Sequence, residues 1–191
     1  MDIIEQAVSV LAHDGTVIYP TETVYGLGAD AFSDTAILKV YEAKKRPLAQ
    51  PISIAVSDFD MLSAVAFVGP GMEEFIQAFL PGPVTVILKA KHIIPDILTG
   101  GTGMIGIRIP AHDLALRLIE RFDSPITATS ANLHGAKDPA TPDECTVPRD
   151  LLIDGGRLPG TPSTVVDLTT MTILRRGGHV DKIEQFLSGR L

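Results

Sequence analysis

The sequence predicts an α/β fold, a mixed β-sheet flanked by helices, and three observations lead there. Aliphatic residues dominate an apolar share of 45%, with no Trp and only 5% aromatic, which suits a sheet filled with Val, Ile and Leu and covered by helices. Segments of helical period alternate at first with short β-branched runs. Late in the chain the runs crowd together, which argues for antiparallel as well as parallel pairing. With 191 residues and no linker composition, one domain over residues 1–191 is expected. A chain of that size buries roughly 70% of its unfolded surface.

The elements follow in order. Ile3, Ile4, Ala7, Val8 and Leu11 recur at helical spacing, Asp2 with Glu5 has the form of a capping box, and Asp14-Gly15 closes the helix as a turn. Thr16-Val17-Ile18-Tyr19 is a β-branched run stopped by Pro20, hence a buried strand feeding a loop from Pro20 to Asp30. Ser33 caps a helix through Lys44 with Ala36, Ile37, Val40 and Tyr41 on one face, and Pro47 prevents its continuation. A strand over Ile52 to Val56 comes next, then a helix over about Glu73 to Leu80 that ends at Pro81-Gly82-Pro83. Val84 to Lys89 and Ile105 to Ile109 are strands, Asp113 to Phe122 is a helix, and Pro125 leads into a strand over Ile126 to Thr129. After a polar loop to Pro148, strands are expected at Leu151–Asp154, Thr164–Leu168 and Thr172–Leu174, and a closing helix at about Asp181–Leu187. Ligands in open α/β sheets sit at the carboxyl ends of strands, so the loops after Tyr19, Thr129 and Leu174 are the first places to look.

Charge and composition exclude several classes. A net charge of -7 argues against a protein that coats nucleic acid through many phosphate contacts. The single cysteine, Cys145, excludes an internal disulfide and a cysteine-built zinc site and fits a reducing cytosol. No basic region precedes an apolar run at the N-terminus and no apolar stretch reaches membrane-spanning length, so a cytoplasmic protein with no membrane association is expected.

Chemistry concentrates in a few segments. There is no P-loop and no H-E-x-x-H pair, and Gly26-Leu27-Gly28-Ala29-Asp30-Ala31 matches the relaxed dinucleotide pattern with the wrong spacing from its strand. The loop Pro20 to Gly28 is long and hydroxyl-rich, which favours a ligand role: Thr21 and Thr23 can bond polar atoms, and Gly26 and Gly28 permit close approach of backbone amides. Lys44-Lys45-Arg46-Pro47 complements a helix macrodipole, but its position also aims Lys44 and Arg46 toward a cleft. Charge-assisted bonds from such groups to phosphate are worth about 1.5–3 kcal/mol each. Arg108, alone in the apolar strand Gly106 to Pro110, needs an anion, and either a structural carboxylate or a ligand carboxylate would serve. Thr127 to Asn132 offers hydroxyls and an amide suited to phosphate, ribose or amino acid, or else to a turn cap. Ser130 with His134 lacks an acid to orient the imidazole and carries no nucleophile elbow. Ser163-Thr164-Val165-Val166-Asp167 and Leu174-Arg175-Arg176 repeat the theme, although Arg175 and Arg176 read equally as a solvated surface pair.

Taken in order, Tyr19 to Gly28, Lys44 to Pro47, Pro81-Gly-Pro83, Gly106 to Pro110, Ser130-Ala-Asn132, Ser163 to Asp167 and Leu174-Arg175 resemble the YrdC/Sua5 family over nearly the whole chain. The resemblance implies a twisted mixed sheet around a large electropositive concave cavity, and a chain that lacks the C-terminal extension of longer members. It implies that Lys44, Arg46, Ser130 and Asn132 carry catalysis and hold ATP, with Gln50, Met104, Asp138 and Arg175 assisting. It further implies a threonine set of Thr23, Ala55, Arg108, Ala128 and Ser163, in which Ala55 stands where many relatives carry His.

The activity so implied has two stages. Bicarbonate captures the amine of L-threonine as a carbamate, and the carbamate oxygen attacks the α-phosphorus of ATP with release of pyrophosphate. No covalent nucleophile is evident, which fits catalysis by positioning and charge neutralisation. Mg2+ is expected on the phosphates, held mainly by the nucleotide and water, with no dedicated metal site in the protein. The adenylate would pass to a tRNA threonylcarbamoyltransferase that modifies the adenosine beside the anticodon, and contact with tRNA or double-stranded RNA is a further expectation. Two alternatives stand beside it: carbamoyl transfer from carbamoyl phosphate, which belongs to much longer chains, and an RNA-binding module, which the charge of -7 and the lack of stacking aromatics oppose.

Overall fold

The structure is a computed structural model and describes residues 2–189. In chain order the elements are α1 (Ile3–Ala12), β1 (Val17–Tyr19), β2 (Gly26–Gly28), α2 (Asp34–Lys44), β3 (Ile54–Ala55), α3 (Phe59–Val65), β4 (Ala66–Phe67), α4 (Met72–Phe79), β5 (Val84–Ala90) and α5 (Asp96–Thr99). They continue with β6 (Met104–Arg108), α6 (Asp113–Phe122), β7 (Ile126–Thr127), β8 (Thr129–Ser130), a 3-10 turn at Pro142–Glu144, β9 (Leu151–Leu152), β10 (Thr164–Asp167), β11 (Thr172–Arg175) and α7 (Val180–Ser188).

The strands form two mixed sheets rather than the single sheet expected. The smaller has the order β8-β2-β1-β9, the larger β11-β10-β5-β6-β3-β7, with β4 paired to the far end of β5. Both contain parallel and antiparallel pairs: β1 runs antiparallel to β2 and parallel to β9, while β5 runs antiparallel to β6 and parallel to β10. The predicted strand Ile126–Thr129 is divided at Ala128, whose N–H donates to Ser53 O at 2.7 Å. Residues before Ala128 pair with β3 of the larger sheet and residues after it with β2 of the smaller, so this one segment joins the two sheets.

The helices obey the rules that predict them, with one correction. Ser33 Oγ accepts from the Ala36 N–H at 3.2 Å and caps α2, whose Ala36, Ile37, Val40, Tyr41 and Lys44 make one buried stripe. The expected capping box at α1 does not form, since Asp2 makes no side-chain cap bond. Asp2 instead pairs with Arg117 at 3.1 Å and Glu5 with Arg121 at 2.6 Å, both on α6. These pairs are exposed and contribute little. The α1–α6 contact is made by burial of Ile4, Ala7 and Leu11 against Ala115, Leu118 and Ile119, a core cluster shared with Tyr19, Ala55 and Ile126. A larger cluster fills the space between α2, α4 and the remaining strands. The thiol of Cys145 is buried, which pushes its pKa up to about 11. No helix among the described residues is long and apolar enough to cross a membrane.

The loop expected over Pro20–Asp30 contains β2, and its glycines act differently from expectation. Tyr19 pairs with Gly26 and Val17 with Gly28. A Cβ at either glycine would lie 2.9 Å from the ring of Tyr19. Gly26 and Gly28 therefore make room for a buried phenol, whose hydroxyl donates to Thr127 O at 3.2 Å, and the ring forms part of a cleft wall.

Candidate functional site

A cleft opens between the two sheets, where the ends of β1, β5, β6, β8, β10 and β11 meet the loop that follows α2. The segments expected after Tyr19, Thr129 and Leu174 all reach it. Of the candidate residues, Thr23, Arg46, Arg108, Ala128, Ser130, Asp138, Ser163 and Arg175 line it, though they come from positions as far apart as 23 and 175. Strand ends and the loops beside them supply these residues, as expected of ligand sites in α/β sheets.

Arg108 has the anion that its burial demands. Its guanidinium pairs with Glu22 through NH2, and NH1 donates to Thr23 Oγ1 at 3.2 Å. Thr21 Oγ1 lies 2.8 Å from Thr23 Oγ1 and donates to Val24 O at 2.7 Å, so the loop carries its own hydroxyl chain. Arg108 Nε is buried with no partner. Of the two partners open to Arg108 in the sequence, the structural carboxylate is present.

Across the cleft, Thr85 on β5 and Ser163 share a hydrogen bond of 2.8 Å. Arg175 closes over Ser163, donating to its carbonyl from Nε at 3.1 Å and NH2 at 2.9 Å and to its Oγ at 3.0 Å. Arg175 is therefore an exposed residue anchored on Ser163 at the cleft, whereas Arg176 pairs on the surface with Glu184. Burial above all lowers the pKa of Arg175, with the like charge of Arg108 adding to it and Asp138 opposing.

Lys44 corrects an expectation. Placed on the buried stripe of α2, it is 2% exposed and points beneath the Ser130–Asn132 turn instead of into the cleft. Its ammonium donates to Ser130 O at 2.5 Å, Asn132 O at 2.7 Å and Asn132 Oδ1 at 3.2 Å, which uses all three hydrogens. Asn132 Oδ1 also accepts from Ser130 Oγ at 2.6 Å, and its Nδ2 donates to Ala136 O at 2.6 Å and Asp138 at 3.3 Å. Burial, and then the neighbouring charge of Arg46, brings the Lys44 pKa down to about 8. Arg46, two residues beyond the end of α2, does line the cleft; Gln50 O at 3.3 Å and Pro51 O at 2.8 Å hold its guanidinium.

Four further candidates lie off the cleft lining. The carbonyl of Gln50 accepts from Tyr41 and Arg46, and its N–H donates to Pro47 O at 3.0 Å. Met104 pairs with Lys89 at the opposite end of β6 from Arg108. Ala55 stands beside Arg108 in register but is fully buried with Tyr19 and Ile126. Asn132 likewise supports the wall from behind. Conversely, sequence reasoning passed over Glu22, Thr85 and Tyr19. Thr85 had a signal, a lone hydroxyl inside the apolar run Val84-Thr85-Val86. Among the described residues no cluster of three or more His, Cys, Asp or Glu could hold a metal.

Comparison with known proteins agrees with this architecture. A family model, Sua5/YciO/YrdC, described as "Telomere recombination", matches residues 9–177. The chain is 39% identical over 182 residues to the threonylcarbamoyl-AMP synthase of Pyrococcus abyssi, covering 90% of this chain and 53% of that protein. It is 32% identical over 185 residues to the threonylcarbamoyl-AMP synthase of Shigella boydii, covering 92% and 96%. The crystal structure of P. abyssi Sua5 complexed with L-threonine superposes with a TM-score of 0.90 at 37% identity, over 95% of this chain and 56% of that one. The chain thus spans about half the length of the first curated relatives it matches. With a matched span that takes in every strand from β1 to β11 and all of the cleft, the chain belongs to the Sua5/YciO/YrdC family.

Proposed function

We propose that this chain, acting as one catalytic unit, makes threonylcarbamoyl adenylate and pyrophosphate from L-threonine, bicarbonate and ATP. The observation that carries the reading is the gathering of Arg46, Arg108, Arg175, Ser130 and Ser163 around one cleft. The names of the full-length relatives support the same chemistry.

In this reading bicarbonate and the threonine amine give a carbamate with loss of water. The carbamate oxygen attacks the α-phosphorus, the bond to the β-phosphate oxygen breaks, and pyrophosphate leaves with the electron pair. Arg46 and Arg175 neutralise phosphate charge, Ser130 bonds a phosphate or ribose oxygen, and Lys44 with Asn132 holds the turn that presents Ser130. Arg108 takes the threonine carboxylate, with Thr23, Ser163 and Ala128 shaping the rest of that subsite. The protein's part in this reading is to orient and to neutralise, through the cations and hydroxyls that line the cleft. Mg2+ would arrive on the nucleotide: among the described residues Asp138 is the one carboxylate on the cleft lining, and no cluster of His, Cys, Asp or Glu forms a cage there. The product is a mixed anhydride that a tRNA threonylcarbamoyltransferase would consume in the cytoplasm.

Pyrophosphate release tests the reading. It is expected from purified protein and ATP only when both L-threonine and bicarbonate are added, with no RNA present. Release that ignores threonine, or that requires RNA, would overturn it and favour a nucleic-acid role.

A further inference from the structure

Glu22 does not line the cleft, yet it holds a residue that does. One carboxylate oxygen accepts from Arg108 NH2, and the other accepts from the Ala111 N–H at 3.1 Å. Glu22 lies in the loop after β1 of the smaller sheet, while Arg108 ends β6 of the larger and Ala111 follows it, so the pair bridges the sheets at the cleft. The Arg108 side chain is 9% exposed and that of Glu22 is 14%. Arg108 NH1 is fixed separately by Thr23 Oγ1. Among the described residues two buried side-chain nitrogens lack a partner, Arg108 Nε and His112 Nδ1, and both lie in this stretch from Arg108 to His112. The guanidinium is thus anchored at two nitrogens and left unsatisfied at the third.

We propose that Glu22 is a positioning residue for the amino-acid substrate: it anchors Arg108, a residue of the cleft lining, in the orientation that meets the carboxylate of that substrate. The inference rests on the reading of the cleft given above and adds a residue to it. Only a carboxylate fits the position. Glutamine would set an NH2 donor against one of the two N–H groups that Glu22 accepts from, and aspartate is one methylene too short to reach both. Two effects of removing Glu22 oppose each other. Loss of its negative charge strengthens the field of Arg108 for any anion, whereas loss of the anchor lets the guanidinium turn away from Arg175, the cation beside it. Two-point recognition of a carboxylate depends on the plane of the fork, so orientation decides the outcome.

The test is a double-mutant cycle of Glu22→Gln and Arg108→Ala, read as kcat/KM for L-threonine in pyrophosphate release, with Kd for a non-hydrolysable ATP analogue measured alongside. Glu22→Gln should lower kcat/KM for threonine about 10-fold, mostly through KM, and leave nucleotide Kd within about 2-fold. Introduced into Arg108→Ala, the same change should cost nothing further. Glu22→Asp, which keeps the charge and loses the reach, should behave like Glu22→Gln. Unchanged or tighter use of threonine by Glu22→Gln overturns the proposal, as does wild-type behaviour of Glu22→Asp. An equal loss in the Arg108→Ala background overturns it too, as does parallel loss of nucleotide binding, since Glu22 would then support the whole cleft. Wild-type protein that makes no use of threonine would instead sink the reading of the cleft and leave the Glu22 contacts to be explained anew.

Discussion

Lys44 shows how a residue can serve a site that it does not line. Its three hydrogens are spent on Ser130 and Asn132, and burial followed by the charge of Arg46 brings its pKa down to about 8. Arg46 and Asp138, the charged groups that face it, both stand on the cleft. Phosphate in that cleft favours the ammonium over the amine and raises the pKa, so binding takes up a proton wherever Lys44 was neutral beforehand. The sign follows: nucleotide affinity is fullest below about pH 8 and falls as pH rises through it. Calorimetric titration of an ATP analogue in two buffers of different ionisation enthalpy should show proton uptake at pH 9 and little at pH 7. In Lys44→Met the inflection should vanish and binding should be weaker at every pH. An inflection that survives in Lys44→Met would assign the titration to another group.

At the scale of elements, the β1–β2 hairpin is the part of the cleft most sensitive to a single methyl. A Cβ on Gly26 falls 2.9 Å from the Tyr19 ring, and that ring is buried at 1% exposure with its hydroxyl on Thr127 O. Gly26→Ala must therefore push the phenol toward the cleft or open the hairpin. A loss of about 1–3 kcal/mol is expected in urea denaturation, together with weakened ligand binding. Gly101→Ala is the contrasting variant, at a glycine where no atom lies within reach of a new Cβ and only the positive φ opposes it. The same hairpin marks the limit of what the sequence discloses. Long amphipathic segments were legible: α6 occupies Asp113–Phe122 as expected, and α2 starts at the Ser33 cap. The seven-residue α3 and four-residue α5 escaped because so few residues display no helical period, although Asp58 accepting from the Met61 N–H was a cap available to be read. The division of the strand at Ala128 was invisible, since which sheet a residue joins depends on partners distant in sequence. Cleft residues whose chemistry is local, such as Arg46 and Ser130, could be named from their motifs. Glu22 could not be assigned to Arg108, which lies 86 positions away and meets it only once both sheets have formed.

For the molecule as a whole, the cleft exists only while the two sheets keep their relation. Arg46, Arg108, Ser130, Ser163 and Arg175 reach it from both sheets and from the loop after α2, so the unfolded chain contains nothing that resembles it. Its cations stand against a net charge of -7, so in the proposed reading nucleotide binding at the cleft should weaken with salt. A ligand that bridges both sheets binds the native state and not the unfolded one, and it stabilises by mass action, about 2.7 kcal/mol at 100 times its Kd. Urea denaturation should therefore shift to a higher midpoint in the presence of an ATP analogue with Mg2+, and further when L-threonine is added. The slope of the transition should stay the same, because the surface exposed on unfolding is unchanged. If the nucleotide contacted one sheet alone, the other could open in its presence, and the transition would split into two steps. A single shifted step is the outcome that a cleft shared between the sheets requires.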